Sequence, residues 1–220
     1  MFDLLGAVAM RDSDRPIGLP RKALPGERVG QGICYEVTGV TFKALCLERS
    51  PDQHSYSAQQ GFHMFVVGEA FASVEWPGDD PRPVGPLSAN AILQLYQHTP
   101  SGFLCCLKGN FSLVLVDEER RQVALYNSRF GISPFYYAYD HGLFVFSTSL
   151  TSVAACLTPN PDLDSAAIAE LALFNYPLRK RTYFQNVYML QPAEIVRADK
   201  SGLESETWWD VRELYEAPLL

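Results

Sequence analysis

The sequence lacks any long hydrophobic run, since no stretch approaches the roughly eighteen consecutive apolar residues that a membrane helix needs. The N-terminus also lacks the basic segment that precedes the apolar core of a signal peptide. We therefore expect a cytoplasmic protein with no membrane partner. Positive charge is scarce as well, because 18 Lys and Arg stand against 25 Asp and Glu, which gives a net charge of −7. This balance argues against a nucleic-acid partner.

Motifs for metals and phosphates are also missing. The five cysteines form no C-x-x-C pair, and the four histidines form no H-x-x-x-H pair. The Gly-rich patterns G-x-x-x-x-G-K-[ST] and G-x-G-x-x-G do not occur. We expect reduced, mostly buried thiols, no metal site and no cofactor in this chain.

Strands dominate what is present. The run Phe111–Val116 is apolar at nearly every position, which indicates a strand covered on both faces, and Val123–Tyr126 follows after a charged turn. A second pair, "FYYAYDHGLFVFS", has its turn at Asp140–Gly142. An earlier strand is expected near Leu4–Ala9, and the Gly- and Pro-rich stretch Arg11–Gly32 predicts a long loop after it.

Two helices are predicted, each with a polar N-cap. Ser88 precedes a helix near residues 88–98, and Asp164 precedes one near residues 164–174. In the second helix Ile168, Leu171 and Ala172 face one way. With 47% hydrophobic and 20% charged residues, the chain suits one core. We predict an α+β fold, an αββα four-layer sandwich of two mainly antiparallel sheets.

One long stretch resembles a known family. "GNFSLVLVDEERRQVALYNSRFGISPFYYAYDHGLFVFSTSL" is similar to the N-terminal glutaminase domain of asparagine synthetases, which are class II glutamine amidotransferases with the N-terminal-nucleophile fold. Ser149 stands where Glu is usual in that family. The residues that keep the pattern are Gly109, Phe111, Asp117, Arg129, Phe130, Gly131, Ile132, Pro134, Tyr136, Tyr137, Phe146 and Leu150.

Two later blocks extend the resemblance. "RTYFQNVYMLQPAEIV" and "TWWD" match the family's next conserved segments, so the similarity is clear from about Ser88 to Asp210 and fainter from Met1. It implies a glutaminase-like domain over residues 1–205 and a closing segment, 206–220, that leads toward a synthetase domain absent from these residues. Gly131 and Pro134 are expected to turn the chain between two buried strands.

The resemblance makes Phe2 informative. In the family a cysteine directly after the initiator Met becomes the N-terminal nucleophile, and its own α-amine serves as the base. "MFDLLGAV" places Phe2 at that position. Phenylalanine has no thiol, and a large residue there is expected to prevent removal of Met1. We expect Phe2 to be buried and to plug the nucleophile's place.

Other parts of the glutamine site are replaced too. The family's carboxylate-binding arginine loop should fall in or just after Arg11–Gly32, where only "PGERVGQG" is found. Val67 takes the place of an oxyanion-stabilising Asn, and Ala89 that of the Asp that pairs with the substrate ammonium. Gly68 and Glu69 are the remnant pocket; we expect Gly68 to turn a strand end and Glu69 to be solvated or to satisfy backbone groups.

Three functions remain open. The first is a catalytically inactive amidotransferase-like domain, a pseudoenzyme that supports an ATP-dependent, amide-forming synthetase, as in β-lactam synthetases and lasso-peptide cyclases. ATP and magnesium would then bind the synthetase, and a homodimer is possible. The second is a glutaminase activated by cleavage before Cys34, although "CYEV" alternates like an ordinary strand. The third is a free-standing module that binds a small molecule or a peptide in the emptied pocket.

Overall fold

Two six-stranded antiparallel sheets stack face to face in the computed structural model, which describes residues 2–10, 19, 33–38, 42–48, 55–77 and 82–216. The strands are β1 (Phe2–Ala9), β2 (Ile33–Thr38), β3 (Phe42–Glu48), β4 (Tyr56–Gln59), β5 (Phe62–Ala72), β6 (Leu107–Asp117), β7 (Gln122–Asn127), β8 (Tyr136–Asp140), β9 (Leu143–Ser147), β10 (Val187–Met189), β11 (Glu194–Asp199) and β12 (Gly202–Thr207). The helices are α1 (Ala89–His98), α2 (Leu150–Cys156), α3 (Ser165–Phe174) and α4 (Glu213–Glu216).

Sheet A has the order β10-β8-β9-β1-β3-β2, and sheet B has the order β12-β11-β7-β6-β5-β4. The first strand of the chain therefore lies inside sheet A, between β9 and β3. Strand β6 is buried from Phe111 to Asp117, as its unbroken apolar run predicts. It is covered by sheet A on one face and by α1 on the other.

Helices α1 and α2 lie on the outer faces of the two sheets. Ile92, Leu93 and Leu95 of α1 pack on sheet B, and Val153 of α2 packs on sheet A. The Ser88 side chain accepts the N–H of Ala91, as an N-cap does. This arrangement confirms the predicted αββα sandwich. No helix within the described ranges is long and apolar enough to cross a membrane.

Two helices differ from the sequence expectation. Helix α2 was not predicted; its N-cap is Ser149, whose side chain accepts the N–H of Ser152. Helix α3 begins where predicted, with Asp164 accepting two backbone N–H groups. However, Ala167 is its only buried residue, and Ile168 and Leu171 are 43% and 36% exposed. The apolar face of α3 therefore lacks a cover within the described chain.

The closing segment is attached to sheet B. Strand β12 runs to Thr207, so the expected boundary after residue 205 falls inside this strand. The indole N–H of Trp208 donates to the Asn127 carbonyl at 2.9 Å, and the Trp208 backbone N–H donates to the Ala193 carbonyl at 2.9 Å. These bonds extend the folded unit through Trp208.

Candidate functional site

The start of β1 is where the resemblance places the nucleophile. The backbone of Phe2 begins the strand and pairs with Glu48, whereas its side chain lies outside the described residues, so the predicted plug stays a prediction. The next residues are held firmly. The Ser147 hydroxyl donates to the Leu4 carbonyl at 2.8 Å, and the Thr148 backbone N–H donates to the same carbonyl at 3.0 Å. Backbone and hydroxyl bonds thus fix the position of this strand end.

Val67 lies in the core between the sheets. It is 6% exposed and belongs to the same buried cluster as Leu4 and Cys46. The valine side chain carries no hydrogen-bond donor, so it cannot supply the oxyanion contact that the resemblance predicts at this position. An asparagine here would need a polar partner inside an apolar cluster.

Gly68 and Glu69 lie beside it, both exposed to solvent. The expectation that Gly68 turns a strand end is wrong, because β5 continues through it to Ala72. Gly68 has φ +87, and a Cβ at this position would overlap the carbonyl of Asn110 on β6. A glycine is thus required for close strand pairing rather than for a turn. The solvated state of Glu69 agrees with the prediction.

Ala89 lies elsewhere. It is fully buried at the start of α1, in the layer between this helix and sheet B. Val67 is in the other core, between the two sheets. The structure therefore places these two replaced positions on opposite faces of sheet B, and does not gather their side chains around one cavity.

Arg129 and Phe130 join the loop after β7 to the closing segment. The Arg129 guanidinium donates to the Leu107 carbonyl at 3.1 Å and lies 5.2 Å from the ring centre of Trp208. The ring of Phe130 meets that of Trp209 edge to face, with the centroids 5.6 Å apart. Cation–π and aromatic contacts therefore hold this end of the sandwich together.

Gly131, Pro134 and Tyr137 follow on the way into β8. Gly131 has φ +52, and a Cβ on it would lie 2.8 Å from the side-chain nitrogen of Asn127. Pro134 ends the loop two residues before β8 begins. Tyr137 is 2% exposed, and burial raises the pKa of its hydroxyl above the ordinary value. These residues shape the fold at this end of the molecule.

Asn127 is a central residue of this region that the sequence analysis missed. Its side-chain oxygen accepts from the Ser112 hydroxyl at 3.2 Å and from the Ser128 N–H at 3.0 Å. Its side-chain nitrogen donates to the carbonyls of Leu190 and Gln191 at 3.1 and 3.0 Å. The sequence does contain a sign of this role, because Asn127 is a polar residue at the end of the apolar strand "QVALYN".

Polar groups also lie beside Glu69. Asn110 pairs with Glu69 across the strands, so their side chains share a face of the sheet. The Asn110 amide donates to the Ser133 hydroxyl at 2.8 Å, and its oxygen accepts the Ser133 N–H at 3.3 Å. Asn110 therefore positions the loop that follows Gly131, and both polar atoms of its side-chain amide are bonded to Ser133 of that loop.

Cys34 is the second residue of β2, the edge strand of sheet A, and its side chain lies outside the described residues. Cleavage before Cys34 would cut β1, an interior strand of that sheet, from the rest of the chain. The arginine-loop replacement, "PGERVGQG", also lies outside the described residues. Across the part of the chain that is described, no three His, Cys, Asp or Glu side chains are grouped as a metal would need.

A family model described as "Glutamine amidotransferase domain" matches residues 88–209. Among curated proteins, the chain is 25% identical over 177 residues to "Amidase chry2" of Gibberella zeae and 23% identical over 177 residues to "Amidase chyE" of Penicillium rubens. Each match covers 78% of this chain and 26% of the relative, so the chain spans about a quarter of the length of these relatives.

Solved structures of amidotransferases are also similar. The glutamine phosphoribosylpyrophosphate amidotransferase of B. subtilis matches with a TM-score of 0.46 at 10% identity, covering 94% of this chain and 43% of that chain. A glutamine aminotransferase class-II domain protein of Silicibacter pomeroyi matches with a TM-score of 0.43 at 13% identity, covering 94% of this chain and 98% of that chain.

Proposed function

The chain belongs to the glutamine amidotransferase domain family, and on this premise we propose that it is a member that does not hydrolyse glutamine. Its role is to support an ATP-dependent, amide-forming synthetase of the asparagine synthetase type in the cytoplasm. ATP and magnesium are bound by that synthetase. The carboxylate that it activates and the amine that it accepts are set by the synthetase rather than by this chain.

The observation that carries the proposal is the chemistry at the start of β1 and at Val67. Phe2 stands where the resemblance requires a thiol, and Val67 is buried in an apolar cluster where it requires an amide donor. Loss of one oxyanion donor typically costs on the order of a hundredfold in rate, and loss of the nucleophile costs more. The two replacements together favour an inactive site.

Support for a partner comes from the closing segment and from the loop between β7 and β8. The side chains of Phe130 and Ile132 are 59% and 73% exposed, and those of Leu214 and Tyr215 are 58% and 86% exposed. Exposed apolar and aromatic groups of this kind are typical of surfaces that another domain covers. The curated relatives are about four times as long as the matched region, which leaves room for such a domain.

A second candidate is hydrolysis of another amide, because both curated relatives carry the name amidase. The reaction would convert an amide and water to a carboxylate and an amine or ammonia. This candidate needs a nucleophile or an activated water that the Phe2 position does not supply. The remaining alternative is a free-standing module that binds a small molecule or a peptide and catalyses no reaction.

The decisive measurement is ammonia release from glutamine by the purified chain, with its intact mass determined in parallel. We expect no release from the natural chain, from Phe2→Cys, or from Phe2→Cys combined with Val67→Asn. Restoring the thiol and one donor leaves the carboxylate and ammonium contacts absent, and residues that act as a unit fail together. Phe2→Ala is the matched control for Phe2→Cys, because it also shortens the side chain but adds no thiol.

Ammonia release in this measurement would point to a different function, and which function depends on the chain and the substrate that give it. Glutamine turnover by a chain of the full 24.6 kDa would refute the inactive assignment. Turnover only from a chain that begins at Cys34 would establish activation by cleavage. Ammonia from asparagine or from simple primary amides, but not from glutamine, would favour the amidase candidate.

A further inference from the structure

A groove of about 710 Å³ lies between α3 and the segment 178–188, which runs into β10. We call it the α3 groove. Leu178 and Phe184 give it apolar surface, and the charged residues that line it are Asp164, Glu170, Arg179, Lys180 and Arg181. Small-molecule sites in proteins have volumes of about 300–1,000 Å³ and combine apolar walls with a few polar groups. The α3 groove has the size and the lining of such a site.

The two carboxylates of the groove already have partners in the same chain. The Arg181 guanidinium lies 3.9 Å from the Asp164 carboxylate and 3.7 Å from that of Glu170. Glu170 also accepts the backbone N–H of Leu178 at 2.9 Å, and Asp164 accepts two backbone N–H groups at the start of α3. These contacts hold the two walls of the groove together, so the acidic groups are committed to the fold.

Arg179 and Lys180 are the remaining charged groups of the groove. Both are exposed, and among the described residues neither side chain forms an ion pair. Their backbone is fixed, because the Arg179 carbonyl accepts the Gln191 side-chain N–H at 3.1 Å and the Lys180 carbonyl accepts the Met189 N–H at 2.9 Å. The Lys180 ammonium lies 5.8 Å from the ring centre of Tyr188. Two adjacent positive groups are thus free to meet an anion from outside the chain.

The backbone of Arg179 gives a second reason to assign its side chain a role. Its φ is +57, in the left-handed region that strains a residue with a Cβ but not a glycine. Strained residues of this kind concentrate at ligand-binding sites, where the surrounding structure holds them. A glycine would adopt this backbone without strain, but it would bring no guanidinium to the groove.

We propose that the α3 groove binds a small organic anion. The Arg179 guanidinium and the Lys180 ammonium hold its carboxylate or phosphate, and its apolar part packs against Leu178 and Phe184. The planar guanidinium matches either group with two parallel hydrogen bonds. A polyanion fits less well, because the net charge of −7 repels a large negative partner. The inference goes beyond the proposed function, since the groove does not include the remnant pocket.

The first test measures the binding of two probes, benzoate and phenyl phosphate, to the 220-residue chain by calorimetry and by saturation-transfer NMR. We expect saturable binding of at least one probe at low ionic strength, and at least about tenfold weaker binding of benzamide, the neutral counterpart of benzoate. Acetate and inorganic phosphate lack the ring, so each binds at least about threefold more weakly than the corresponding phenyl compound. The tighter phenyl compound shows whether the groove prefers a carboxylate or a phosphate.

The second test uses variants of the groove. Arg179→Gly removes the guanidinium and the backbone strain, so we expect it to raise the Kd of the preferred probe at least about tenfold. The urea midpoint of unfolding stays unchanged or rises, whereas loss of a purely structural side chain would lower it. Lys180→Gln raises the Kd about threefold or more. Lys200→Ala is the matched control, because it removes an exposed positive charge that does not line the groove and leaves the Kd unchanged.

Four results overturn the proposal. Neither phenyl probe binds saturably at millimolar concentration, or benzamide binds as tightly as benzoate. Equal binding of the ring-free anions and the phenyl compounds means an adventitious ion only. The same Kd in the natural chain, Arg179→Gly and Lys180→Gln places the binding outside the groove. Circular dichroism verifies each fold, and Arg179→Gln, which keeps a polar side chain without the charge, is the substitute if Arg179→Gly does not fold.

Discussion

At the scale of single residues, Asn127 connects several chain segments. Its amide and carbonyl join Ser112 on β6, the loop that begins at Ser128, the carbonyls of Leu190 and Gln191, and the indole of Trp208. The residue is 1% exposed, so water cannot replace these partners. A single buried amide thus holds four separate chain segments at the site end of the sandwich.

We expect Asn127→Ala to lower the free energy of unfolding by about 2–3 kcal/mol, because it leaves buried carbonyls and a buried hydroxyl without partners. Urea unfolding measures the change. The matched control is Asn90→Ala, whose exposed side chain bonds only to surface groups, with an expected loss below about 0.5 kcal/mol. Equal losses in the two variants would contradict the central role of Asn127.

The sequence predicted which site residues are replaced, but not where they lie. The resemblance to the family identified Val67 and Ala89 by their order along the chain. Their assignment to the two cores of sheet B depends on strand register and on the docking of α1, which neither local pattern contains. Gly68 was misassigned for the same reason, since the need for a glycine arises from Asn110 on the neighbouring strand.

At the scale of elements, β1 is a strand whose place depends on one glycine. A Cβ on Gly6 would overlap the ring of Phe146, which is fully buried on β9 opposite it. The sequence shows Gly6 only as one small residue in an apolar run. The ring that fills the space beside Gly6 belongs to Phe146, which pairs with Gly6 across the strands but lies 140 residues later in the sequence.

We expect Gly6→Ala to cost about 2–3 kcal/mol of stability through this overlap. Phe146→Leu removes part of the ring, so the double variant loses less than the two single losses combined, with a coupling of at least about 1 kcal/mol. Chemical denaturation of the natural chain, the two single variants and the double variant completes this double-mutant cycle. Gly102→Ala is the control, because a Cβ there makes only ordinary contact, 3.4 Å from Thr99. Strict additivity would show that the ring does not set the requirement for glycine.

Helix ends were easier to predict than helix environments. Ser88 and Asp164 cap α1 and α3 as their local patterns indicate, because capping is a short-range hydrogen bond. Helix α2, capped by Ser149, was missed since its seven residues are too few for a clear period. The exposure of α3 was also not foreseeable, because it depends on what covers the helix.

At the scale of the whole molecule, two buried tyrosines and a partly buried thiol make stability depend on alkaline pH. Burial raises the pKa values of Tyr126 and Tyr137, and it raises the pKa of Cys156 to about 11. The folded state therefore favours the protonated forms. Their contribution is complete below about pH 9 and is lost as the pH rises through the folded-state values.

We expect the urea midpoint of unfolding to be constant between pH 7 and about pH 9 and to fall steadily above this range. Tyr126→Phe removes one of the titrating groups, so the fall between pH 10 and pH 11 becomes shallower. Tyr176→Phe is the control, at a side chain that is 60% exposed. An identical fall in both variants would show that the ionisation of Tyr126 does not drive the alkaline loss.

The layered architecture was the most predictable property of the molecule. Doubly covered strands such as Phe111–Val116 require a packed layer on each face of their sheet, whatever the family. Strand order was beyond reach, because nothing between residues 2 and 9 reveals that β9 will lie on one side and β3 on the other. The attachment of Trp208 to Asn127 was likewise a long-range feature that the boundary at residue 205 did not anticipate.

The interior position of β1 has a consequence for how the protein is made. The Ser147 hydroxyl bonds to the Leu4 carbonyl across 143 residues of chain. At about 5–20 residues per second, the ribosome takes roughly 7 to 30 s to deliver β9 after β1 has emerged. During that interval Leu4, Leu5 and Val8 have only one neighbouring strand available to them. Folding is therefore expected to be slow and late in synthesis, with β1 dependent on chaperones until its second partner arrives.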